Sequence, residues 1–331
     1  MLDEVFAFAH GSARRTSLVE IQGRVAIMRV PGWLKALARY RCVSRSMRFA
    51  EACRYYDLRV WNQRLGHREM VAALSSNQPH AIGKIGSGEL TLLRHYLRAQ
   101  KERSRGVSTP GRAYNFFSDN PERYCELMFH EVLPEMTILG VWFNINESTI
   151  VKTYAPKALR IPIGCLESYR ALEEPWSARL AGKRVLVISM FADTILSQYA
   201  KRKLLWGSRA DTVLPDFDLQ AIRAPFSWST LPTVGTWFHA LNEMKQQMSR
   251  MDFDVSLIGA SAYSLPLVTH AKRMGRIGIH LGGATQIHFG IMGARWEGNP
   301  FFAKLANEHW TRPSAAETPA NAKDADNGCY W

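Results

Sequence analysis

The sequence predicts an α/β protein in which helices cover both faces of a mostly parallel sheet. The first observation is a continuous apolar segment over residues 184–190, which is typical of a strand that is buried on both faces. The second is that such segments alternate with helical patterns through the second half of the chain, with short connections between them. The third is that a turn of small and polar residues follows each of four predicted strands.

The individual elements follow from apolar periodicity and from turn residues. In the first half, the pattern predicts a strand over residues 81–85, a helix that opens at Glu89, a helix over 118–139 that breaks near Pro134, and a strand over 137–143. In the second half, strands are expected over residues 184–190, 221–225, 255–258 and 277–281, and helices over 193–206, 235–250 and 265–274.

The composition is that of a globular protein. The 331 residues include 47% hydrophobic and 21% charged residues, which excludes bulk disorder and allows one large or two modest domains. No apolar stretch approaches the roughly 18 residues of a membrane span, and the first residues make a poor secretory signal. Five widely spaced cysteines indicate neither a disulfide framework nor a zinc site. We therefore expect a reduced, cytoplasmic protein with buried thiols.

The positive charge is concentrated near the N-terminus. Residues 24–68 contain eleven basic residues and only two acidic ones, Glu51 and Asp57. Apolar residues in this segment follow helical spacing, namely Phe49, Ala52, Cys53, Tyr56 and Val60. A basic amphipathic helix either lies on an anionic membrane surface or packs against the main domain, and both alternatives remain open. Nucleic acid is a less favoured partner, since no binding motif accompanies the charge. We place a basic helical region at residues 1–75 and the main domain at 76–331.

The turns after the predicted strands indicate a phosphate-binding site. Ligands of open α/β sheets bind beyond the carboxyl ends of the strands, and N–H groups at helix starts there favour phosphate. The turns at residues 86–89, 191–194, 259–261 and 282–286 are therefore expected to hold a phosphorylated or nucleotide ligand. The candidate binding residues are Gly86, Ser87, Gly88, Gly259, Ala260, Ser261, Gly282, Gly283, Thr285 and Gln286.

Three residues in or near these turns are candidates for catalysis. Glu89 is interpreted as a catalytic base or a metal or phosphate-site ligand, or alternatively as a carboxylate that stabilises a helix N-terminus. Asp193 is either a site residue or an N-cap, and His280 lies at the carboxyl end of a strand. The segment over residues 259–264 keeps only the first glycine of a dinucleotide fingerprint, which favours a nucleotide-phosphate loop over a dinucleotide site.

Two parts of the chain resemble a known family. The segment Lys84-Ile85-Gly86-Ser87-Gly88-Glu89-Leu90 is similar to the Gly-Asp-Gly-Glu turn of GT-D type glycosyltransferases. Residues 257–267, 270–272, 279–286 and 289–290 resemble GT-D-like proteins of bacterial surface-polysaccharide clusters. The segments at 191–193 and 328–331, with Trp310 and Pro313, fit the same group, so that the resemblance covers about residues 80–331.

The resemblance implies a Rossmann-like, GT-D-type domain that transfers a sugar from a nucleotide-sugar donor to a cell-surface polysaccharide or a lipid-linked acceptor. It also implies an Asp-x-Glu pair at the donor diphosphate and its Mg²⁺ or Mn²⁺ ion. Glu89 matches the glutamate, whereas Ser87 stands where the family has aspartate. A neutral hydroxyl is a weak ligand for a hard cation, so metal dependence stays open. Together with the basic segment, the resemblance is compatible with a cytoplasmic protein at the inner membrane face, and the alternative in which this segment packs against the domain stays open.

Two other functions are compatible with the same sequence. A non-catalytic nucleotide-binding or scaffold protein would keep the sheet without the carboxylate pair. A Rossmann-type methyltransferase would instead bind S-adenosylmethionine.

Overall fold

Seven parallel strands form one sheet at the centre of the protein. The computed structural model describes residues 45–76, 78–104, 119–171, 174–226, 235–320, 322–324 and 328–331. The strands are β1 (His80–Gly83), β2 (Ile138–Val141), β3 (Leu159–Pro162), β4 (Arg184–Ser189), β5 (Asp218–Arg223), β6 (Val255–Gly259) and β7 (Ile277–His280). Their order across the sheet is β3-β2-β1-β7-β6-β4-β5. The predicted α/β, Rossmann-like class is confirmed.

Helices follow most of the strands. They are α1 over residues 45–53, α2 (Gln63–Ser75), α3 (Ser87–Arg103), α4 (Pro121–Leu127), α5 (Glu147–Tyr154), α6 (Ala192–Tyr199), α7 (Arg202–Trp206), α8 (Ala210–Val213), α9 (Trp237–Ser249), α10 (Ser264–Arg273), α11 (Ala284–His288) and α12 (Pro300–Leu305). None of the described helices combines the length and the apolar character that a bilayer span would need.

The two faces of the sheet form two separate cores, because successive side chains of a strand point to opposite faces. In β4, Leu186 and Ile188 belong to one core, together with α9 and α10. Val185 and Val187 belong to the other core, together with α2 and α6. All four of these side chains are fully buried, as the apolar segment predicts for a strand covered on both sides.

Several predicted boundaries shift. The expected long helix over residues 118–139 is shorter: α4 begins after Asn120, whose side chain accepts from Arg123 N, and it continues into a π-helical turn, Met128–Val132. The expected helix over residues 193–206 is divided into α6 and α7. The sequence patterns did not predict β3 or α5.

The end of the basic segment packs against the domain. Glu51, on α1, is buried, and its Oε1 accepts from Ser148 N (2.7 Å) and Ser148 Oγ (2.6 Å) at the start of α5. Ala52 and Tyr55 are buried beside it. For residues 51–60 this favours the packed alternative. Residues 24–44, with Arg41 and Cys42, lie outside the described residues.

The predicted apolar stripe of this segment is only partly right. Ala52 and Val60 are buried, but Phe49 is 46% exposed and Tyr56 is 89% exposed. The reason is that α1 ends at Cys53 and Tyr56 has a positive φ of 52°, so helical spacing does not continue. Cys53 is exposed, whereas Cys125 and Cys165 are buried as expected.

The predicted boundary between residues 75 and 76 falls between two elements that share a core. Met70 and Leu74 of α2 are fully buried and pack in the same apolar cluster as Ile82 of β1. The described part of the basic region, from α2 onward, is therefore continuous with the sheet.

The buried carboxyl of Glu147 predicts a pH-dependent stability. Burial raises its pKa to about 7, although the N–H groups of Trp142 and Asn144 donate to it and oppose that rise. Between the ordinary pKa of 4.5 and about 7, the unfolded chain has lost a proton that the folded chain keeps. This carboxyl therefore lowers the free energy of unfolding as the pH rises through that window. Urea denaturation at about pH 5 and about pH 8 measures this change. Between these two pH values, Glu147→Gln should lose less free energy of unfolding than wild type.

The matched control is Glu308→Gln, since the Glu308 side chain is 82% exposed. Its pH dependence should equal that of wild type. An unchanged pH dependence in Glu147→Gln would contradict the assignment.

Candidate functional site

A cavity of about 360 Å³ lies at the carboxyl edge of the sheet, among the turns that follow β1, β4, β6 and β7. It brings together most of the residues that the sequence predicted for a site. These are Gly86, Ser87, Gly88, Glu89, Gly259, Ser261, His280, Gly282, Gly283, Thr285 and Gln286. Two predicted residues, Asp193 and Ala260, are not among the residues that line it.

The turns after β6 and β7 fit closely against each other. A Cβ atom on Gly259 would lie 2.6 Å from Thr285 Oγ1 and 2.9 Å from the carbonyl oxygen of Gly282, so only glycine fits there. Gly282 itself has a φ of 61°, which glycine adopts without strain. Ser261 has a φ of 50°, and a left-handed conformation of this kind costs a non-glycine residue on the order of 1–3 kcal/mol. Strain is therefore held at the cavity wall.

Ala260 is part of the core rather than of the cavity. It is 2% exposed, and its backbone N–H donates to Ser264 Oγ at 3.0 Å. In this position Ala260 packs in the core and shapes the turn before α10, which gives its predicted binding role no support.

The first turn of α3 forms one wall of the cavity. Gly86 is the N-cap residue and provides no side-chain cap, while Ser87 and Gly88 are exposed. The carboxylate of Glu89 folds back over Gly86, where it occupies the space that a Cβ on Gly86 would need. Glu89 thus combines both predicted positions, at a helix N-terminus and in the wall of the cavity.

Lys84 is a site residue that sequence reasoning missed. It follows β1 directly, and its Nζ lies 4.6 Å from the ring centroid of Trp142, a cation–π distance. The pKa of this half-buried lysine is lowered to about 8, mainly by burial and to a smaller extent by Arg295, while Glu89 and Glu167 oppose the shift. A lysine between an apolar strand and a glycine turn was the available signal.

Arg295 is the second cation of the cavity. Its guanidinium lies 5.4 Å from the ring centroid of Trp296 and 5.2 Å from that of Tyr330. Planar contacts of this kind fix the orientation of the guanidinium fork. The described residues that line the cavity thus include two cations, Lys84 and Arg295, and a single carboxylate, Glu89. This excess of positive charge favours an anionic ligand.

His280 is neutral. Its Nδ1–H donates to the carbonyl oxygen of Ile258 at 3.2 Å, which leaves Nε2 as the unprotonated ring nitrogen. Burial, and then the charge of Lys84, lower the pKa of His280 to about 3. In this form the ring accepts a hydrogen bond at Nε2 and carries no charge toward a ligand.

Two buried polar atoms at the cavity lack partners. Thr285 and Gln286 are 1% and 2% exposed, and Thr285 Oγ1 and Gln286 Oε1 have no hydrogen-bond partner among the described residues. Gln286 Nε2 donates to the carbonyl oxygen of Tyr330 at 2.8 Å, which fixes the orientation of the amide. A buried polar atom without a partner costs about 1–3 kcal/mol, and a polar ligand in the cavity would relieve that cost.

The turn after β4 differs from the prediction. Asp193 is exposed, does not cap α6 and lies 3.4 Å from Arg223 Nη1. The cap is Glu317, a buried residue whose carboxylate accepts from Asp193 N (2.8 Å) and Thr194 N (3.1 Å). The predicted N-cap role of Asp193 is therefore wrong, and its predicted role in the site stays a prediction that its position outside the cavity lining does not support. The helix start at this turn already holds an anion from the protein itself.

The side chains at the cavity do not fit a divalent cation. Mg²⁺ and Mn²⁺ prefer several oxygen ligands, with carboxylates among them. The described residues contain no group of three or more His, Cys, Asp or Glu side chains arranged to hold a metal ion. Glu89 is one carboxylate in a cavity that also holds Lys84 and Arg295.

Comparison of the chain with protein-family models, with curated proteins and with solved structures finds no match. The site must therefore be interpreted from its own geometry.

Removal of the Lys84 charge is expected to stabilise the folded protein. Because its pKa is lowered to about 8 from 10.5, the folded protein loses a proton before the unfolded chain does, and stability rises with pH across that window. Lys84→Met should be more stable than wild type near pH 7 and should lack this rise. Thermal unfolding at about pH 7 and about pH 10 measures both effects.

Lys304→Met is the control, because Lys304 is exposed and does not line the cavity. It should keep the pH dependence of wild type. A less stable Lys84→Met protein would show that the ammonium group supports the fold.

Proposed function

We propose that the chain is a glycosyltransferase that binds a nucleotide-sugar donor in this cavity and holds its diphosphate with Lys84 and Arg295 instead of a divalent metal. The observation that carries the proposal is the presence of both cations, next to glycine turns, in one cavity at the carboxyl edge of a parallel sheet. The resemblance of residues 80–331 to GT-D type proteins supports the transfer of a sugar.

The diphosphate has complementary groups at the cavity. Lys84 provides a compact charge and Arg295 provides a planar fork, which suits phosphate oxygens. Gly86, Ser87 and Gly88, at the start of the 17-residue helix α3, line the same cavity, so the positive end of the helix dipole lies at it. Because the pKa of Lys84 is lowered to about 8, an anion that favours the charged amine would raise it again.

The reaction breaks one bond and forms another at the anomeric carbon of the sugar. The bond from this carbon to the diphosphate oxygen breaks, and its electron pair leaves with the nucleoside diphosphate. Lys84 and Arg295 stabilise the charge that develops there. The acceptor hydroxyl oxygen bonds to the same carbon, and its proton passes to the carboxylate of Glu89, which acts as the general base.

A nucleotide-binding protein without catalysis is the second candidate. The observation that favours it is the position of the Glu89 carboxylate, which lies over Gly86 as a helix-terminal group does. Ser87 also provides no second carboxylate in the turn. Turnover separates the two functions, since both predict donor binding.

Donor binding should be independent of metal. A panel of uridine, guanosine and thymidine diphosphate sugars, measured by thermal shift with EDTA and then with Mg²⁺, should include one that stabilises the protein equally in both conditions. A donor at a hundredfold excess over its Kd adds about 2.7 kcal/mol of stability. Arg295→Met should abolish the shift, whereas Arg179→Met, at an exposed ion pair with Glu174, should keep it.

Stabilisation that requires Mg²⁺ would contradict the metal-free site. Stabilisation by S-adenosylmethionine, with none by any nucleotide sugar, would favour the methyltransferase alternative.

Glu89→Gln should bind the donor and lose turnover. The amide keeps the volume of the side chain but accepts no proton, and a general base contributes typically 10²–10⁴-fold in rate. The measurement is the release of free sugar and nucleoside diphosphate, with donor affinity determined on the same preparation. Near-normal turnover in Glu89→Gln would restrict Glu89 to the helix terminus, and no turnover in wild type would favour the non-catalytic binder.

A further inference from the structure

A second cavity, of about 400 Å³, lies beside the first at the carboxyl ends of β4 and β5, against α9. Met190 and Phe226 line both cavities, so the two cavities adjoin at these side chains. A ligand in the second cavity would therefore lie next to a ligand in the first.

The second cavity has an aromatic wall. Trp331 and Phe226 stand edge to face, with ring centroids 5.4 Å apart and an interplanar angle of 71°. Trp331 Nε1 donates to the carbonyl oxygen of Glu317 at 2.9 Å, so the one polar atom of the indole already has a partner. What the indole presents to the cavity is therefore carbon surface.

The rim of the same cavity is polar. Glu243 and Gln247 are exposed and lie four residues apart on α9, so they share one face of the helix. Arg223 lies across from them, and its Nη2 donates to the carbonyl oxygen of Ala316 at 2.7 Å. A guanidinium has five N–H donors, and Arg223 uses two of them in the hydrogen bonds to Ala316 and Asp193, so further donors are available to a ligand. The rim thus offers a carboxylate, an amide and a guanidinium.

We propose that this second cavity binds a pyranose ring of the saccharide acceptor. A pyranose has apolar C–H faces, which pack on aromatic carbon, and hydroxyl groups around its edge, which match carboxylate, amide and guanidinium groups. The two carboxylates among the described lining residues, Glu243 and Glu317, outnumber the one guanidinium, Arg223, and so disfavour a phosphate or a nucleotide there. This inference rests on the proposed function and assigns its second substrate.

The position of the cavity suits the transfer. The two cavities share Met190 and Phe226, so the hydroxyl of an acceptor bound at this border reaches the cavity that contains Glu89. The acceptor oxygen then bonds to the anomeric carbon while the nucleoside diphosphate leaves, and the acceptor proton passes to Glu89, so atoms and electrons balance.

Saturation-transfer NMR with methyl glycosides of common hexoses and N-acetylhexosamines tests the inference on the full chain. At least one glycoside should bind wild type. Gln247→Ala and Glu243→Ala should each weaken it by up to about tenfold, which is the loss of one good hydrogen bond. Gln246→Ala is the matched control, because Gln246 is exposed on the same helix but does not line the cavity. Nucleotide-sugar binding should be unchanged in all three variants.

Two results would overturn the acceptor site. One is the absence of binding by every glycoside, and the other is glycoside binding that neither Gln247→Ala nor Glu243→Ala weakens. Binding of dodecyl phosphate in place of glycosides would likewise overturn it and assign the cavity to a lipid. If the proposed function is wrong, no nucleotide sugar will stabilise the protein in the thermal-shift experiment. That result is separate from the glycoside measurements, so failure of the proposed function is distinguishable from failure of this site.

Discussion

The pairing of β1 with β7 is the contact on which the site depends. It joins the strands of the first half of the chain to those of the second, through Ala81 opposite Gly278 and Ile82 opposite Ile279. Gly83 is necessary at this junction, since a Cβ there would lie 2.9 Å from both His280 Cβ and Leu265 Cδ2. Because parallel strands end at the same edge, the pairing sets Lys84 beside the turns after β6 and β7.

Local patterns predicted the central strands, whereas the edge strand β3 depends on tertiary contacts. The apolar residues of β4 and β6 are buried on both faces, and burial of that kind is visible in the sequence. Among the described strands, β3 pairs only with β2, and Ile161 is its one fully buried residue, so its four residues carry no clear pattern. The helix α1 ends earlier than the apolar spacing predicts. The reason is that Tyr56 takes a left-handed conformation, which the spacing of apolar residues does not indicate.

The candidate site was predictable where it is local and not where it is assembled. The glycine turns and Glu89 follow strands directly, so sequence position was sufficient to place them at the sheet edge. Glu317 caps a helix 124 residues away, and Arg295 reaches the cavity from the segment between α11 and α12. An N-cap residue lies next to its helix in the sequence, so local position favours Asp193 for a role that the distant Glu317 performs.

The cavity brings together three different features that each cost free energy: an unpartnered buried hydroxyl, a strained backbone conformation and a charge that burial disfavours. Unpartnered buried atoms also occur elsewhere in the described residues, at Trp176 and Trp237 for example, and by themselves they indicate little. At this cavity, however, the unpartnered Thr285 Oγ1 coincides with the left-handed Ser261 and with a lysine whose charge is disfavoured by burial. A polar anion bound there would charge the lysine favourably and offer a partner to the threonine. One ligand would therefore relieve two of these costs together, the unpartnered hydroxyl and the disfavoured charge, beside a strained turn that shapes the cavity wall. This combination is expected of a preorganised binding site.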